Sequence, residues 1–372
     1  MTVTEEDEDK AKLPEELIEF GSYVWPQGET RRTLEHVFDN VRAELPWVKS
    51  DSLEDDPSLK HYSDSKEREA AHTELKKILN RCIAGTLTNW LADGHKALCA
   101  VVHPPCGKGY VGDWARDAGL DVVSSIAELA QMQAGQIAVF DGLESSLQRC
   151  ASQMPRNREL LNSIAACEGR LIVNCNSWTW AFLSSNFEIE LLFHDTYTIP
   201  SFDGEALAAL IGPILASRPK LQLFKSADTG DPIFERSDGA LSDPYFGELG
   251  KRSLGLPWVA IEMFFNGMLA KDCNEVDETS ESVYLRHPKD ARLPHSPNNM
   301  ACLILQNLLI HEPCKPEVIA RCVPFDVSIG LWDALTRSGF VTEEQGLFRH
   351  CPSHYPAIRS ALRATGMNAD KL

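Results

Sequence analysis

The N-terminal part of the chain shows hydrophobic positions at helical spacing. This spacing predicts a helix whose N-terminus Thr30 can cap. One face of the helix carries Leu34, Val37, Phe38 and Val41. Glu67–Leu91 repeats this spacing and predicts a second helix. The polar stretch Lys49–Asp64 between them reads as a loop.

At residue 97 the pattern changes to short, continuous apolar runs. These runs predict five strands: Ala97–His103, Leu120–Val123, Gln136–Phe140, Arg170–Val173 and Glu190–Phe193. Helical stretches at Val111–Ala118 and Leu143–Cys167 separate them. Strands buried on both faces and alternating with helices are typical of βαβ units. The sequence therefore predicts an α/β fold with a parallel sheet.

Helical spacing returns after residue 203. Gly204–Ala216 and Phe246–Leu269 are predicted helices, and the acidic Lys271–Glu281 and the Pro-rich Arg286–Pro297 follow them. Three more predicted helices close the pattern: Met300–Ile310, Lys315–Cys322 and Val327–Ser338. A predicted hairpin over residues 339–349 comes next. Three helices followed by a hairpin are typical of a winged helix.

Composition narrows the classes of function. The 372 residues carry a net charge of −18, which argues against non-specific binding to nucleic acid or to an anionic membrane surface. Acidic residues are densest in the first 16 positions, which hold seven of them against two lysines and predict a solvated tail. No secretory signal is recognisable and no apolar run reaches 18 residues, so we expect a cytoplasmic protein without membrane insertion.

Eleven cysteines raise the question of a metal site. None of them forms a CxxC pair, and several lie in apolar runs, where a thiol behaves as a small hydrophobe. We therefore expect reduced, mostly buried cysteines. The alternative is a metal bound by His350, Cys351 and His354, with Cys314 and Cys322 upstream.

The loop after the first predicted strand carries candidate chemistry. A strand, a tight loop with a Gly-Lys pair and a helix form the layout of a phosphate-binding loop, in which backbone N–H groups and a lysine surround the phosphate. The candidate nucleotide-binding residues are Pro105, Cys106, Gly107, Lys108, Gly109 and Tyr110. The pattern G-x-x-x-x-G-K-[ST] is incomplete, because Val102 replaces its first glycine and Gly109 its magnesium-binding hydroxyl. The plain alternative is a strand-to-helix turn.

Polar residues end two later strands. Asp141 follows Gln136–Phe140 in the layout of a Walker B strand, whose aspartate reaches Mg²⁺. Glu144 comes three residues later, displaced from the usual place of the acid that polarises the attacking water. Asn174 and Asn176 end the next strand, where an amide could reach a γ-phosphate or orient water.

The order of these parts resembles that of the AAA+ and related STAND ATPases: a phosphate loop, an acid-ended strand, a polar-ended strand, a helical lid and a winged helix. Among these ATPases the origin-recognition type, in which a winged helix follows the lid, is the nearer comparison. The resemblance runs from about Ala97 onward. It implies a P-loop NTPase-like core, ATP and Mg²⁺ as cofactors, and roles for the residues above, with Asp141 holding the metal and Asp141, Glu144 and Asn174 as catalytic residues. It also implies that Arg252, or Lys251, in the lid touches the phosphates; a surface base is the alternative.

The resemblance also suggests an organisation of the chain. It divides into an acidic tail and helical region (1–92), a P-loop-like α/β core (93–202), a helical lid (203–285), a linker (286–297) and a winged helix (298–372). No arginine finger can be placed, since Arg149, Arg156 and Arg158 also suit a solvated face.

Two functions compete at this point. The first is a nucleotide-binding regulatory or assembly ATPase, weak or inactive in hydrolysis, that switches partner binding. The second is a non-catalytic scaffold that keeps the fold. DNA binding through the winged helix ranks third, because residues 298–372 carry seven basic and seven acidic residues. A protein partner is favoured, with a second copy of the chain as one possibility.

Overall fold

The computed structural model describes residues 13–26, 59–62, 65–94, 97–107, 109–217, 223–271, 282–287, 293, 299–367, 370 and 372. The chain divides into two compact units. The core unit contains Glu15–Tyr23, Lys77–Pro200 and Asp290–Leu372, and the second unit contains Met1–Pro14, Val24–Lys76 and Ser201–Lys289. The predicted helix around residues 34–41, the acidic tail, the stretch 272–281 and most of the linker 286–297 lie outside the described residues. The predicted domain boundaries stay predictions.

The described part of the chain contains fourteen strands and twelve α-helices. The strands are β1 (Ile18–Glu19), β2 (Leu59–His61), β3 (Leu98–His103), β4 (Asp121–Val123), β5 (Ile137–Asp141), β6 (Arg170–Asn176), β7 (Asp195–Thr198), β8 (Leu223–Ser226), β9 (Arg236–Ser237), β10 (Ala240–Leu241), β11 (Met268–Lys271), β12 (Ser282–Leu285), β13 (Val341–Glu344) and β14 (Leu347–His350). The helices are α1 (Ser65–Ala92), α2 (Tyr110–Asp117), α3 (Ile126–Leu129), α4 (Met154–Ala165), α5 (Ser177–Phe187), α6 (Gly204–Ala216), α7 (Tyr245–Arg252), α8 (Pro257–Asn266), α9 (Asn299–His311), α10 (Pro316–Cys322), α11 (Ile329–Arg337) and α12 (Tyr355–Ala364).

The core unit is built on a six-stranded sheet in the order β1-β7-β3-β6-β5-β4. The five strands from β3 to β7 run parallel, and β1 pairs antiparallel with β7. Numbered along the chain, the parallel strands lie in the order 5-1-4-3-2. Strand β6 therefore lies between β3 and β5, and the carboxyl ends of these three strands are neighbours. The predicted mixed α/β fold with a mostly parallel sheet is confirmed.

Four predicted strands are confirmed within a few residues, and the fifth prediction is wrong. Residues 189–192 form a 3-10 helix, and the fifth parallel strand is β7, which begins three residues later. Leu191 in the apolar run is 80% exposed, so the run is not buried on two faces. Strand β7 borders only the two-residue β1 on its outer side and is half-buried, which is why it lacks the continuous apolar signal.

The predicted helix Leu143–Cys167 is shorter than expected. Two 3-10 turns, Leu143–Ser145 and Ala151–Gln153, precede α4. Gly142, with a left-handed φ of 75°, precedes the first of these turns, and Pro155 lies in the first turn of α4, where a proline favours the start of a helix. The helix predicted over Glu67–Leu91 is confirmed as part of α1.

The second unit contains strands as well as the predicted helices. Strands β2, β11, β12 and β8 form a four-stranded sheet in that order. Strand β2 lies in the stretch expected to be a loop. The helix predicted over Phe246–Leu269 is wrong in its continuity, because positive φ angles at Leu254 and Gly255 and the proline at 257 divide it into α7 and α8. Its last residues belong to β11.

The C-terminal block, residues 299–367 with 370 and 372, has the predicted three helices and hairpin, and α12 in addition. Helix α9 is buried almost all round, since it packs against α5, α10, α12 and β14. No helix in the described part of the chain has the length and apolar character needed to cross a membrane.

Candidate functional site

The candidate phosphate loop is a 3-10 turn at Pro105–Gly107 between β3 and α2. Gly109 precedes α2 with a left-handed φ of 89° and caps it without a side chain. A β-carbon on Gly109 would have no heavy atom within 4 Å, so the space beside it is open. Lys108 lies outside the described residues. The loop thus presents an uncapped helix N-terminus, as a phosphate loop does.

Asp141, at the end of β5, lies between two neighbouring elements. The Asn174 Nδ2 amide on β6 donates a hydrogen bond of 2.7 Å to Asp141 Oδ1. Asp141 Oδ2 faces Gly112 in the first turn of α2, so closely that a β-carbon there would overlap the carboxylate. The structure therefore brings the loop helix, the acid-ended strand and the polar-ended strand together.

The Asn176 side chain contacts α5 and the C-terminal block and does not face an open site. Its Oδ1 accepts a 2.8 Å hydrogen bond from the Thr179 backbone N–H, which caps α5. Its Nδ2 lies 3.4 Å from the Ile310 carbonyl, which also accepts a 2.8 Å hydrogen bond from the Thr179 hydroxyl. Asn176 is 2% exposed. Its polar atoms thus hold α9 against the core.

Glu144 is also buried, at 2% exposure, in the 3-10 turn that packs against α9. Burial, with Glu144 nearby, raises the pKa of the Cys175 thiol well above its usual value. Trp178 and Trp180 are buried too, and Trp178 donates to the Tyr355 hydroxyl at 3.0 Å. The aromatic pair therefore belongs to the packing of the core unit.

The C-terminal hairpin reaches the loop through a contact of the partly buried Cys106 with the buried His350 and Glu312. Cys106 Sγ lies 3.2 Å from His350 Nε2, and His350 Nδ1 lies 2.7 Å from Glu312 Oε2. Burial alone would lower the pKa of His350, but Glu312 and Cys106 raise it well above its ordinary value. Burial raises the pKa of the Cys106 thiol, which His350 opposes. The arrangement therefore favours a buried His350–Glu312 ion pair beneath a neutral thiol.

The contact of Cys106 with His350 and Glu312 was not predicted from the sequence, where His350 was a candidate only for a metal site. In the part of the chain that the structure describes, no group of three or more histidine, cysteine and acidic side chains is placed to hold a metal ion. The three contact residues are far apart in sequence, so only the tertiary fold reveals them.

The two arginine predictions fall in different units. Arg252 ends α7 in the second unit, where burial and then its charge lower the pKa of His287 to about 4. Its role toward a phosphate stays a prediction. In the core unit, Arg149 donates from its side chain to Gln306 at 2.7 Å and from its backbone to His311 at 3.1 Å. Arg149 is therefore partly buried against α9, whereas Arg156 and Arg158 are exposed.

The residues present do not fit the Mg²⁺ site that the resemblance implies. Gly109 offers no hydroxyl, and its left-handed backbone disfavours any residue that would. Both oxygens of Asp141 face protein atoms, from Asn174 and Gly112. A magnesium ion needs several oxygen ligands in octahedral geometry, and few are available here.

In a DNA-binding winged helix, the third helix and the hairpin would face the DNA. In this chain the arginines of α11 and of the hairpin lie beside acidic side chains. Arg337 on α11 lies 3.4 Å from Asp333, and Arg349 on β14 lies 3.8 Å from Glu344. These exposed pairs leave little net positive charge on the helix and hairpin. The expectation that DNA ranks behind protein as a partner stays a prediction.

No protein-family model matches the chain, and no curated protein does. Solved structures that resemble it include the ORC2 protein of Aeropyrum pernix, described as ADPNP-ADP complexes, with 11% identity and a TM-score of 0.33 over 81% of this chain and 95% of that one. A Walker-type ATPase of Pyrococcus abyssi has 11% identity and a TM-score of 0.27 over 81% and 96% of the two chains. Both TM-scores are low.

Proposed function

We propose that this chain is a nucleotide-binding, ATPase-like regulatory protein whose loop ligand and C-terminal block influence each other. Hydrolysis is slow or absent. The observation that carries the proposal is the contact of the candidate phosphate loop with the C-terminal hairpin through Cys106 and His350, at 3.2 Å. A ligand in the loop and the docked hairpin would share the same few residues.

The phosphate would bind at the start of α2. The helix N-terminus is uncapped by any side chain, and the space beside Gly109 is open. Backbone N–H groups and the helix dipole favour an anion there, and Lys108 would add a positive charge. Weak hydrolysis follows from the missing hydroxyl at Gly109 and the burial of Glu144, since no exposed acid follows Asp141 directly.

Coupling to the C-terminal block follows from the contacts on both sides of the loop. Cys106 meets the hairpin, and Asn176, at the end of the neighbouring strand, meets the carbonyl end of α9. The C-terminal block can be docked on the loop or released from it. A ligand that binds the loop more tightly in one of these two states would shift the equilibrium toward that state, by the difference between its two binding free energies. We propose that a protein partner, or a second copy of the chain, responds to that change.

A scaffold that binds no nucleotide is the second candidate. The observation that favours it is the burial of the loop, in which Pro105 and Gly107 are buried and Cys106 is partly so. Asn176 and Asp141 are also engaged in hydrogen bonds within the protein, which supports a structural role for both.

Isothermal titration of the full chain with ATP and ADP separates the two candidates. The first predicts saturable heat that Lys108→Ala removes, with Lys315→Ala as a matched surface control. Hydrogen exchange then tests the coupling: nucleotide should change protection at β14 and α9. No heat at high micromolar nucleotide, unaltered by Lys108→Ala, would support the scaffold and reject the first candidate.

A further inference from the structure

We infer that Asp141 is a positioning residue that fixes α2 against β5, and that the loop takes a nucleoside di- or triphosphate free of divalent cation. The second half rests on the proposed function, whereas the first does not. The disagreement between the residues present and the Mg²⁺ site of the resembling ATPases carries the inference.

The first oxygen of Asp141 is fixed inside the core unit. It accepts the Asn174 amide at 2.7 Å, and Asn174 itself is fully buried at the centre of the sheet. A cation beside this oxygen would have to compete with that hydrogen bond, whose Asn174 donor is fully buried and whose Asp141 acceptor is partly buried.

The second oxygen is fixed by close packing. It faces Gly112 in the first turn of α2, where the lack of a side chain lets the carboxylate approach the helix backbone. Any larger residue at 112 would displace the carboxylate. Asp141 thereby sets the distance between the end of β5 and the start of the loop helix.

Two other positions that supply magnesium ligands or a catalytic acid in such sites lack a suitable side chain, and no single substitution would restore both. Gly109 stands where the hydroxyl residue would be, and its φ of 89° is strained for any L side chain. Glu144, the next acid along the chain, is 2% exposed beneath α9. Among the acidic side chains that the structure describes at this site, the donor set therefore reduces to one carboxylate that already has two neighbours, and the only addition beside it is the fully buried Asn174 Oδ1, which has no hydrogen-bond partner.

The charge of Asp141 predicts the direction in which its removal changes nucleotide affinity. A nucleotide without Mg²⁺ carries more negative charge, so an uncapped helix N-terminus attracts it more strongly. Asp141, a carboxylate near that N-terminus, would repel it. Removing the Asp141 charge should therefore strengthen nucleotide binding, whereas removing a metal ligand would weaken the binding of the magnesium complex.

The test is titration calorimetry of the full chain with ATP and with ADP, in EDTA and in excess Mg²⁺. For wild type we expect binding in Mg²⁺ that is equal to or weaker than binding in EDTA. For Asp141→Asn, which keeps an acceptor for Asn174, we expect binding tighter by about two- to tenfold in EDTA. Asp121→Asn is the matched control, because Asp121 is exposed at the amino end of β4 and should leave both values unchanged.

Wild-type binding at least tenfold tighter in Mg²⁺, lost in Asp141→Asn, would overturn the inference. If nucleotide fails to bind in either buffer, the proposed function fails on its own. In that case Mn²⁺ titration of the chain alone, followed by electron paramagnetic resonance, still tests the role of Asp141. No saturable site in the submillimolar range supports the positioning role, and a site that Asp141→Asn abolishes contradicts it.

Discussion

Arg170, at the start of β6, completes the C-terminal end of a long helix. Its guanidinium donates to the carbonyls of Trp90, Leu91 and Asp93 at 2.6–2.9 Å and lies 4.4 Å from the Trp90 ring. The last carbonyls of a helix have no partner inside the helix, and α1 has no basic residue in its last turn. An arginine from a distant strand therefore takes the place of a local cap.

We expect Arg170→Ala to lower the free energy of unfolding by about 2–3 kcal/mol, because several charge-assisted hydrogen bonds and a cation–π contact are lost together. Arg170→Lys should recover only part of this, since a compact ammonium lacks the planar fork of N–H donors that a guanidinium presents to several carbonyls and to an aromatic ring. Urea unfolding measures both variants. Arg116→Ala is the control: Arg116 pairs with Asp113 on the surface, so the change should stay within about 0.5 kcal/mol.

Gly112 provides a second test at the residue scale. Gly112→Ala should destabilise the chain by about 1–3 kcal/mol, because the new methyl group overlaps the Asp141 carboxylate and forces it away from α2. Gly330→Ala, in the exposed first turn of α11, should stabilise by up to about 1 kcal/mol through helix propensity. Thermal unfolding compares the two. Equal effects would mean that the Asp141 contact is unimportant.

Residue patterns could place the ends of strands but not their partners. Asp141 and Asn174 follow apolar runs, so their position at one edge of the sheet was predictable. The Asn176 contact with Ile310 joins residues 134 positions apart, and no local periodicity encodes such a contact. The same holds for Cys106 and His350.

At the element scale, one buried carboxylate joins the C-terminal block to the core. Asp370 accepts hydrogen bonds from Arg359 at 2.7 Å, Tyr355 at 2.6 Å and Ser177 at 3.0 Å. Arg359 and Asp370 are 5% and 0% exposed in their side chains. Helix α12 and the start of α5 therefore meet at one buried carboxylate, which also pairs with Arg359.

Removing that carboxylate should be costly. Asp370→Ala leaves the Arg359 charge buried without its partner, and we expect a loss of about 3–5 kcal/mol in unfolding free energy. Hydrogen exchange should rise in α12 and in the first turn of α5. The exposed pair of Asp333 with Arg337 gives the comparison, because Asp333→Ala should change stability by less than about 0.5 kcal/mol. Similar losses in both variants would contradict this assignment.

Acid should loosen the contact between α9 and the core. Burial, and then the charge of Arg149, lower the pKa of His311 to about 4. The unfolded chain takes up a proton near pH 6.5, so the stability contributed by neutral His311 is present above that pH and falls as the pH drops toward 4. Between pH 7 and 5 the loss amounts to about 2 kcal/mol. His311→Gln should reduce the acid-induced decline by that amount in urea unfolding; an unaltered slope would reject the explanation.

Elements were predictable where burial was uniform. The strands β3, β5 and β6 are covered on both faces and give continuous apolar runs, so their prediction succeeded. Strand β7 is half-buried near the edge, and the strands β2 and β11 of the second unit pair with partners far along the chain. These strands depend on tertiary contacts that sequence periodicity does not report.

At the scale of the whole molecule, charge sets the expected behaviour toward polyanions. With a net charge of −18 and the arginines of the hairpin and α11 in ion pairs, we expect no shift of random duplex DNA at physiological salt and up to about 10 µM protein. A gel-shift assay checks this. A shift that disappears in the Arg337→Ala and Arg349→Ala variants would instead identify α11 and the hairpin as a DNA-binding surface.

The order of the strands has a consequence for synthesis on the ribosome. Strand β3 is made first among the parallel strands, yet both of its neighbours, β6 and β7, come much later. Residues 104–194 must be translated before β7 begins, which takes roughly 5–20 s at ordinary elongation rates. Throughout that interval the most apolar strand of the sheet has an unpaired edge. Nascent chains of intermediate length should therefore be the species that most need a chaperone.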